Sequence, residues 1–256
     1  MDGVIAGVKV LFFDVDDTLY SPNCGLGAKI TSNIEKFLVD KMGVEPVESP
    51  SARARYQRRG TALAGLVAEA TSDFSVDEYI EAVYGDIDYT QYIKPNPELK
   101  TMLQDIGRSR RVWAFSNTHK EHVLSVLAAL KIPATTFEGI VEARGLHFVN
   151  KPTLDAYENA LRACGDCDAR QALLIDDNLE NVEGARKFGM QTIHVTNADP
   201  KAAADATPEA WTMPQASIPD IMYLRKAYPD LLLREGLNCS GATPLSRNDY
   251  GAVGML

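Results

Sequence analysis

The chain has 256 residues, 45% hydrophobic and 24% charged, which suits one α/β domain carrying an insertion, or two small domains. Its formal net charge of −9 excludes the basic face that grips a nucleic-acid backbone, and no apolar run is long enough to span a bilayer. Four cysteines are too few for a disulfide scaffold, and no basic region precedes the short apolar stretch near the N-terminus, so the expectation is a cytoplasmic protein with neither nucleic-acid nor membrane partners.

Taken in chain order, Val8 to Phe13 reads as a buried strand that runs into the polar sequence Asp14-Val15-Asp16-Asp17-Thr18. From Ser21 to about Asp105 the text is helical. Ile30, Ile34, Phe37 and Leu38 make one apolar face that stops at Gly43; Leu63, Leu66 and Val67 suggest a second helix, and Tyr79, Val83 and Tyr84 a third. Pro95-Asn96-Pro97 then returns the chain to alternating elements. Val112 to Phe115, Ala172 to Ile175 and Thr192 to Val195 read as further strands, with Trp113 as core. Between them lie helices with apolar faces at Val123, Val126, Leu127 and Leu130, at Ala156, Tyr157, Ala160, Leu161 and Cys164, and at Val182 and Ala185 before Gly189. Pro152 is expected in the first turn of the second of these helices, and Gly165 at its end. Cys164 and Cys167 have the spacing of half a zinc site, but no second pair follows at finger spacing, so they read as structural. After Leu233 the chain is rich in Gly, Ser and Asn and is expected to be a poorly ordered tail.

Strand and helix in alternation predict a Rossmann-like, doubly wound parallel sheet whose site lies at the carboxyl ends of its strands. The expected domains are a core over residues 1–20 and 106–230, an inserted α-helical cap over 21–105, and a flexible tail over 231–256. The insert, placed directly after the aspartate run, is either a structural side domain or a substrate-selecting lid.

Four strand ends or following loops carry polar groups that would converge: Asp14 with Asp16 and Thr18, Ser116-Asn117-Thr118, Lys151, and Asp176-Asp177-Asn178 with Asn181. This set supports phosphoryl transfer through an aspartyl-phosphate. A carboxylate approaching a phosphate ester meets several kcal/mol of repulsion at about 4 Å unless cations intervene. Lys151 and a magnesium ion would offset it, the ion's candidate ligands being Asp14, Asp16, Asp176 and Asp177. The sequence leaves Asp176 as either a direct ligand or an acid holding metal-bound water. Asp14 is the expected nucleophile and Asp16 the acid-base; Ser116, Asn117 and Lys151 are expected to hold the phosphate. Asp17 is expected in a turn, Thr18 to buttress the loop, and Asn181 to orient an aspartate. His119 and His122 follow Ser116 closely, but neither is expected to be catalytic.

In that order the four segments, Asp14-Val15-Asp16-Asp17-Thr18, Ser116-Asn117, Lys151-Pro152 and Asp176 to Asn181, resemble the four motifs of the haloacid dehalogenase superfamily from about Val8 to Val195. The resemblance implies a Rossmann-like core, magnesium, a nucleophilic first aspartate and an acid-base second aspartate. The superfamily's dehalogenase branch lacks that second carboxylate, so Asp16 points to phosphate esters. A helical insertion after the first motif resembles the first cap class. Only 34 positions separate Asn117 from Lys151, leaving no room for a second cap there.

Phe12 to Tyr20, Tyr56 with Gly60, Leu63, Gly65 and Leu66, Lys94 to Leu99, and Ser116-Asn117-Thr118 with His122 are similar to the pyrimidine 5′-nucleotidase group. That likeness implies a nucleoside monophosphate such as UMP or CMP as substrate. Nicotinamide mononucleotide, a sugar phosphate or lysophosphatidate are the alternatives within the same chemistry. The sequence departs from the group around Gln57-Arg58-Arg59. Tyr56, Arg58 and Arg59 are the cap candidates for touching substrate; the opposing reading is a packed tyrosine and, with Arg53 and Arg55, a solvated basic helix face. Two other classes share part of this pattern. A phospho-receiver signalling domain also uses an acid pair, a hydroxyl and a lysine, but places its phosphorylated aspartate later and has no helical insertion. A non-catalytic protein of the same fold is disfavoured by the intact Asp14, Asp16, Lys151 and Asp177.

Overall fold

All four side chains of β1 (Val10–Phe13) are buried, because the strand runs through the middle of a sheet covered on both faces. Leu11 and Phe13 point to one apolar layer, and Val10 and Phe12 to the other. The computed structural model describes residues 7–69, 74–198 and 216–232. Its other strands are β2 (Arg111–Phe115), β3 (Gly139–Val141), β4 (Ala172–Asp176), β5 (Gln191–Val195) and β6 (Ala216–Ile218). They pair in parallel in the order β3-β2-β1-β4-β5-β6, with Phe13 beside both Ala114 and Ile175. The expected doubly wound sheet is therefore present.

Two strands were not legible. β3 and β6 are three residues each and lie at the sheet edges. β3 opens on Gly139, a poor strand former, and that glycine is required by packing: a Cβ there would sit 2.2 Å from the Trp113 ring.

After β1 come α1 (Leu26–Asp40), α2 (Ser49–Gln57), α3 (Ala62–Ala68) and α4 (Val76–Tyr84). They share an apolar core of their own, including Ile34, Phe37, Leu38, Tyr56, Leu63, Leu66, Tyr79 and Val83. Phe37 meets Tyr79 edge-on, with ring centroids 5.0 Å apart. Thr61 and Ser75 cap α3 and α4 by accepting from the Ala64 and Glu78 N–H groups. Helix α2 has no continuous apolar face, which hid it among the arginines; it is held by burial of Tyr56. The insert also touches the sheet layer beyond its hinges. Phe148 packs against its core, and Arg144 pairs with Asp77 at the start of α4.

A short helix α5 (Tyr89–Tyr92) leads to α6 (Pro97–Ile106), capped by Asn96 with Pro97 in its first turn. Leu99, Met102, Leu103 and Ile106 pack on the sheet, so the sheet layer is regained at Pro97, earlier than the boundary at 105 drawn from sequence. Helix α7 (Lys120–Ala129) lies on that same face; α8 (Leu154–Ala163) and the Ala185 face of α9 (Leu179–Phe188) cover the other. Pro152 is not in α8. Thr153, at the N-cap position, is extended (φ −68°, ψ 145°) and makes no capping hydrogen bond, so helical dihedrals begin only at Leu154. Gly165 and Gly189 follow α8 and α9 with φ of +86° and +105°. Among the described residues no helix is long and apolar enough to cross a membrane. The expected disorder of the tail falls on residues 233–256, outside the described residues, whereas Leu231 is buried in the sheet core.

Candidate active site

Asp14 follows the last residue of β1 and its N–H donates to the Ile175 carbonyl at 2.9 Å, which carries strand pairing one residue further and brings Asp14 beside Asp176 and Asp177. Between them stands Lys151, completely buried. Its Nζ donates to Asp14 Oδ1 at 2.7 Å, to Asp176 Oδ2 at 2.6 Å and to the Phe115 carbonyl at 2.7 Å. Burial alone would lower the Lys151 pKa, but the charges of Asp14 and Asp176 outweigh it and hold the ammonium above its ordinary value. The lysine's backbone is clamped in turn. Asn117 accepts from the Lys151 N–H at 2.9 Å and donates to its carbonyl at 3.0 Å. The Asn117 side chain thus orients the lysine loop, and only its backbone is left to meet a ligand.

Ser116 follows the last residue of β2, is buried, and shares a 2.7 Å hydrogen bond with the Thr118 hydroxyl. Thr18 braces the opposite side, donating to Asp177 Oδ1 at 3.2 Å and accepting from the Asp177 N–H at 3.0 Å. Asn181, in the first turn of α9, donates to both oxygens of Asp176. Asp17 takes the left-handed conformation (φ 57°) in the turn, and burial, then Asp16, push its carboxyl up to about 6.

Asp16 is held apart from the metal-type cluster. Its Oδ1 accepts from Tyr20 Oη and from His122 Nε2, both at 2.7 Å. Burial would raise its pKa, but the charge and hydrogen bond of His122, with the Tyr20 bond, hold the carboxyl below its ordinary range. His122 is buried on α7 and its Nδ1 lies 2.8 Å from Tyr89 Oη. From sequence His122 is expected only as a non-catalytic residue near Ser116; the structure gives it the role of holding Asp16. Its i+6 spacing from Ser116 puts it on the first turn of α7 facing the strand ends, a signal that helix periodicity alone holds but does not single out. His119, beside it under the Tyr84 ring, is driven down to about 4 by burial and by His122.

One ligand oxygen from each of Asp14, Asp176 and Asp177 falls within 4.8 Å of the others. Burial raises Asp14 well above its ordinary value, opposed by Lys151 and reinforced by the neighbouring carboxylates; burial and Asp176 push Asp177 up to about 7. A single lysine thus leaves an excess of desolvated negative charge on hard oxygen donors. That donor set fits magnesium. Asp176 is already bonded at both oxygens, to Lys151 on one and to the Asn178 N–H on the other. Asp14 and Asp177 therefore have the freer oxygens, and the Asp16 carboxylate, expected as a ligand, is outside the cluster.

Above the carboxylates is a cavity of about 320 Å³. Its floor is Asp14, Asp16, Ser116 and Asp177, and its far wall is Ile30, Ile34, Gln57, Leu63, Tyr79 and Tyr84 of the insert. The α2–α3 turn comes down onto the catalytic loop because Gly60 has no side chain. At φ +91° a Cβ would lie 2.9 Å from both Asn150 Cβ and the Lys151 carbonyl. Tyr56, Arg58 and Arg59 do not line the cavity. Tyr56 is packed in the insert's core with the Arg55 guanidinium over its ring, Arg58 borders a separate surface hollow with Glu45 and Glu48, and Arg59 is exposed. Burying the tyrosine outweighed exposing it to a ligand, and in this stretch of the insert the residues that face the site are Gln57, Gly60, Thr61, Ala62 and Leu63 instead.

A parallel sheet of order 3-2-1-4-5-6, an aspartate and lysine at its strand ends and a helical insert after β1 define a Rossmann-like hydrolase with a covering insert. Residues 8–189 match the haloacid dehalogenase-like hydrolase family, and the chain belongs to it. Phosphate metabolism protein 8 of Saccharomyces cerevisiae is 28% identical over 199 residues, 73% of this chain and 61% of that protein. A sesquiterpene phosphatase of Aspergillus oryzae is 28% identical over 110 residues, 43% of this chain and 55% of that protein. The chain thus matches under two thirds of the length of these relatives. The fold is shared with L-2-haloacid dehalogenase from Xanthobacter autotrophicus at TM-score 0.52 and 14% identity, covering 86% of this chain and 97% of that one. It is also shared with 2-haloacid dehalogenase from Pseudomonas syringae pv. tomato at TM-score 0.51 and 21% identity, covering 87% and 99%.

Proposed function

We propose that the chain is a magnesium-dependent phosphomonoester hydrolase that works through an aspartyl-phosphate on Asp14. The observation that carries this reading is Lys151 Nζ bridging Asp14 Oδ1 and Asp176 Oδ2, with a second carboxylate, Asp16, anchored two residues on. Bound to Asp14 and Asp177, magnesium would supply positive charge against the phosphate and the carboxylates. Asp14 Oδ attacks phosphorus as the ester P–O bond breaks, and Lys151 and the Ser116 hydroxyl bind the transferring oxygens. Asp16, ionised in the free protein by its bonds from His122 and Tyr20, takes up a proton beside the bound phosphate's negative charge and gives it to the leaving alkoxide. It then takes a proton from the water that attacks the phosphorus of the aspartyl-phosphate, returning Asp14 and releasing inorganic phosphate. Tyr20 and His122 both bond Oδ1 of Asp16, leaving Oδ2 for these transfers. Two phosphate-named relatives and the Asp16 carboxylate favour this reading over halide displacement.

The substrate we propose is a nucleoside 5′-monophosphate, UMP or CMP. Support comes from the sequence likeness to pyrimidine 5′-nucleotidases and from a far wall of apolar and aromatic side chains suited to a flat, neutral leaving group. We propose that residues 21 to about 96 act as its cap. The second reading is a prenyl monophosphate, favoured by the sesquiterpene phosphatase relative and the same apolar wall.

The test is phosphate release with magnesium, after chelation, and from Asp14→Asn. The panel is UMP, CMP, AMP, nicotinamide mononucleotide, a sugar phosphate, lysophosphatidate and farnesyl phosphate. Wild-type turnover by Asp14→Asn overturns the mechanism, and a preference for the sugar phosphate overturns the substrate alone.

A further inference from the structure

Among the described residues, the far wall of the cavity contains one side-chain amide, and its orientation is set from behind. Gln57 lines the cavity at the end of α2, and the Arg53 Nη1 one turn earlier donates to its Oε1 at 2.6 Å. A guanidinium has donors only, so the atom facing Arg53 must be the amide oxygen and not the nitrogen. Arg53 is held in place by Glu35 of α1, whose Oε1 accepts from Arg53 Nε at 2.9 Å. With its oxygen turned to Arg53, which takes one of that oxygen's two lone pairs, Gln57 keeps its NH₂ as the group without a hydrogen-bond partner among the described residues. Around it the wall is apolar or hydroxylic, with Ile30, Ile34, Leu63 and Thr31, and no lysine or arginine is among the described residues lining the cavity.

We propose that Gln57 is a specificity determinant that donates its amide N–H to a carbonyl oxygen on the leaving group, and that Arg53 is the positioning residue that keeps the amide in that orientation. The inference rests on the phosphatase reading above. It narrows the substrate to monoesters whose leaving group is uncharged and carries an oxo acceptor at its far end, against partners of equal shape carrying an amine there. A second phosphate at the far end of the leaving group finds no lysine or arginine among the described residues of that wall. Rejecting the wrong partner follows from leaving two donors face to face, which costs more than a merely missing bond.

UMP and CMP differ at this edge by an oxo against an amino group, so they are the probes. The readout is the ratio of kcat/KM for UMP to that for CMP, measured in one preparation so that the folded fraction cancels. In the wild type the ratio is expected to be about 10, one donor–acceptor hydrogen bond's worth. Gln57→Glu offers an acceptor while still reaching Arg53, and should bring the ratio below one. Gln57→Leu should bring it near one. Arg53→Met, which leaves the cavity wall intact but frees the amide to turn, should also bring it near one; a merely structural arginine would lower both rates and leave the ratio alone. Phosphate release with an unchanged ratio in all three variants overturns the role of Gln57 and leaves the phosphatase standing. Farnesyl phosphate turned over faster than both nucleotides also overturns it, since that leaving group has no acceptor. No phosphate from any ester refutes the phosphatase reading itself and this inference with it.

Discussion

Lys151→Met is the substitution whose cost follows most directly from the geometry. The ammonium is 2.7 Å from one buried carboxylate and 2.6 Å from another. At an effective dielectric near 20, each such pair is worth roughly 6 kcal/mol of attraction, set against the desolvation of three ions. Methionine fills the same volume but leaves Asp14 and Asp176 facing each other unpaired. Breaking a buried pair from one side costs about 3–5 kcal/mol, and since both carboxylates share one lysine the two losses do not add. The pH dependence has a definite sign. Burial already raises Asp14, and Lys151 is the group that lowers it; without the lysine its pKa climbs further. The variant's deficit is therefore largest at high pH and shrinks as Asp14 takes up its proton on acidification. Metal-free urea unfolding followed by far-UV circular dichroism, at about pH 8 and about pH 5.5, measures this, with the smaller deficit expected at the lower pH. Turnover should fall by about two to three orders of magnitude, as for loss of a positioned transition-state donor. A variant as stable as the wild type at the higher pH would show that Lys151 adds no net neutralisation, and the charge argument for the whole site would go with it.

Asp177, pushed from 3.8 up to about 7, binds its proton more tightly in the folded than in the unfolded chain. It should make the metal-free protein lose stability as pH rises from about 4 to about 7, a slope that Asp177→Asn removes. Magnesium competes with that proton, so the Tm rise it causes should grow through about pH 7 and vanish in Asp177→Asn; an equal rise at pH 5.5 and 8 would exclude Asp177 as a ligand. Gly60→Ala places a Cβ 2.9 Å from Asn150 and the Lys151 carbonyl at a positive φ, so about 1–3 kcal/mol of stability and much of kcat/KM should be lost together. If thermal melting and kinetics both match the wild type, the α2–α3 turn does not rest on the catalytic loop as described. Asp16→Asn keeps the bonds to Tyr20 and His122 within reach but cannot carry the proton; a preserved steady-state rate would remove Asp16 from the mechanism.

Local pattern was enough to declare the sheet and the order of its polar strand ends. Runs such as Leu11-Phe12-Phe13 and Leu173-Leu174-Ile175 are apolar throughout because both faces of a central parallel strand are covered, and such a run is visible without any tertiary information. Edge strands three residues long carry no such mark, so β3 and β6 appeared only in three dimensions. The aspartates, Ser116 and Lys151 were readable because strand ends of one parallel sheet must converge. His122, Tyr20 and Asn117 were not singled out as a set, since their roles are hydrogen bonds across 106, 4 and 34 positions that depend on side-chain direction. The cap divides the same way. Its helices were legible from the apolar faces of α1, α3 and α4, but which of Tyr56, Gln57, Arg58 and Arg59 faces the site was not. Four consecutive residues at the end of a helix point in four directions, and only the packing of Tyr56 into the insert's core settles that Gln57 turns to the cavity.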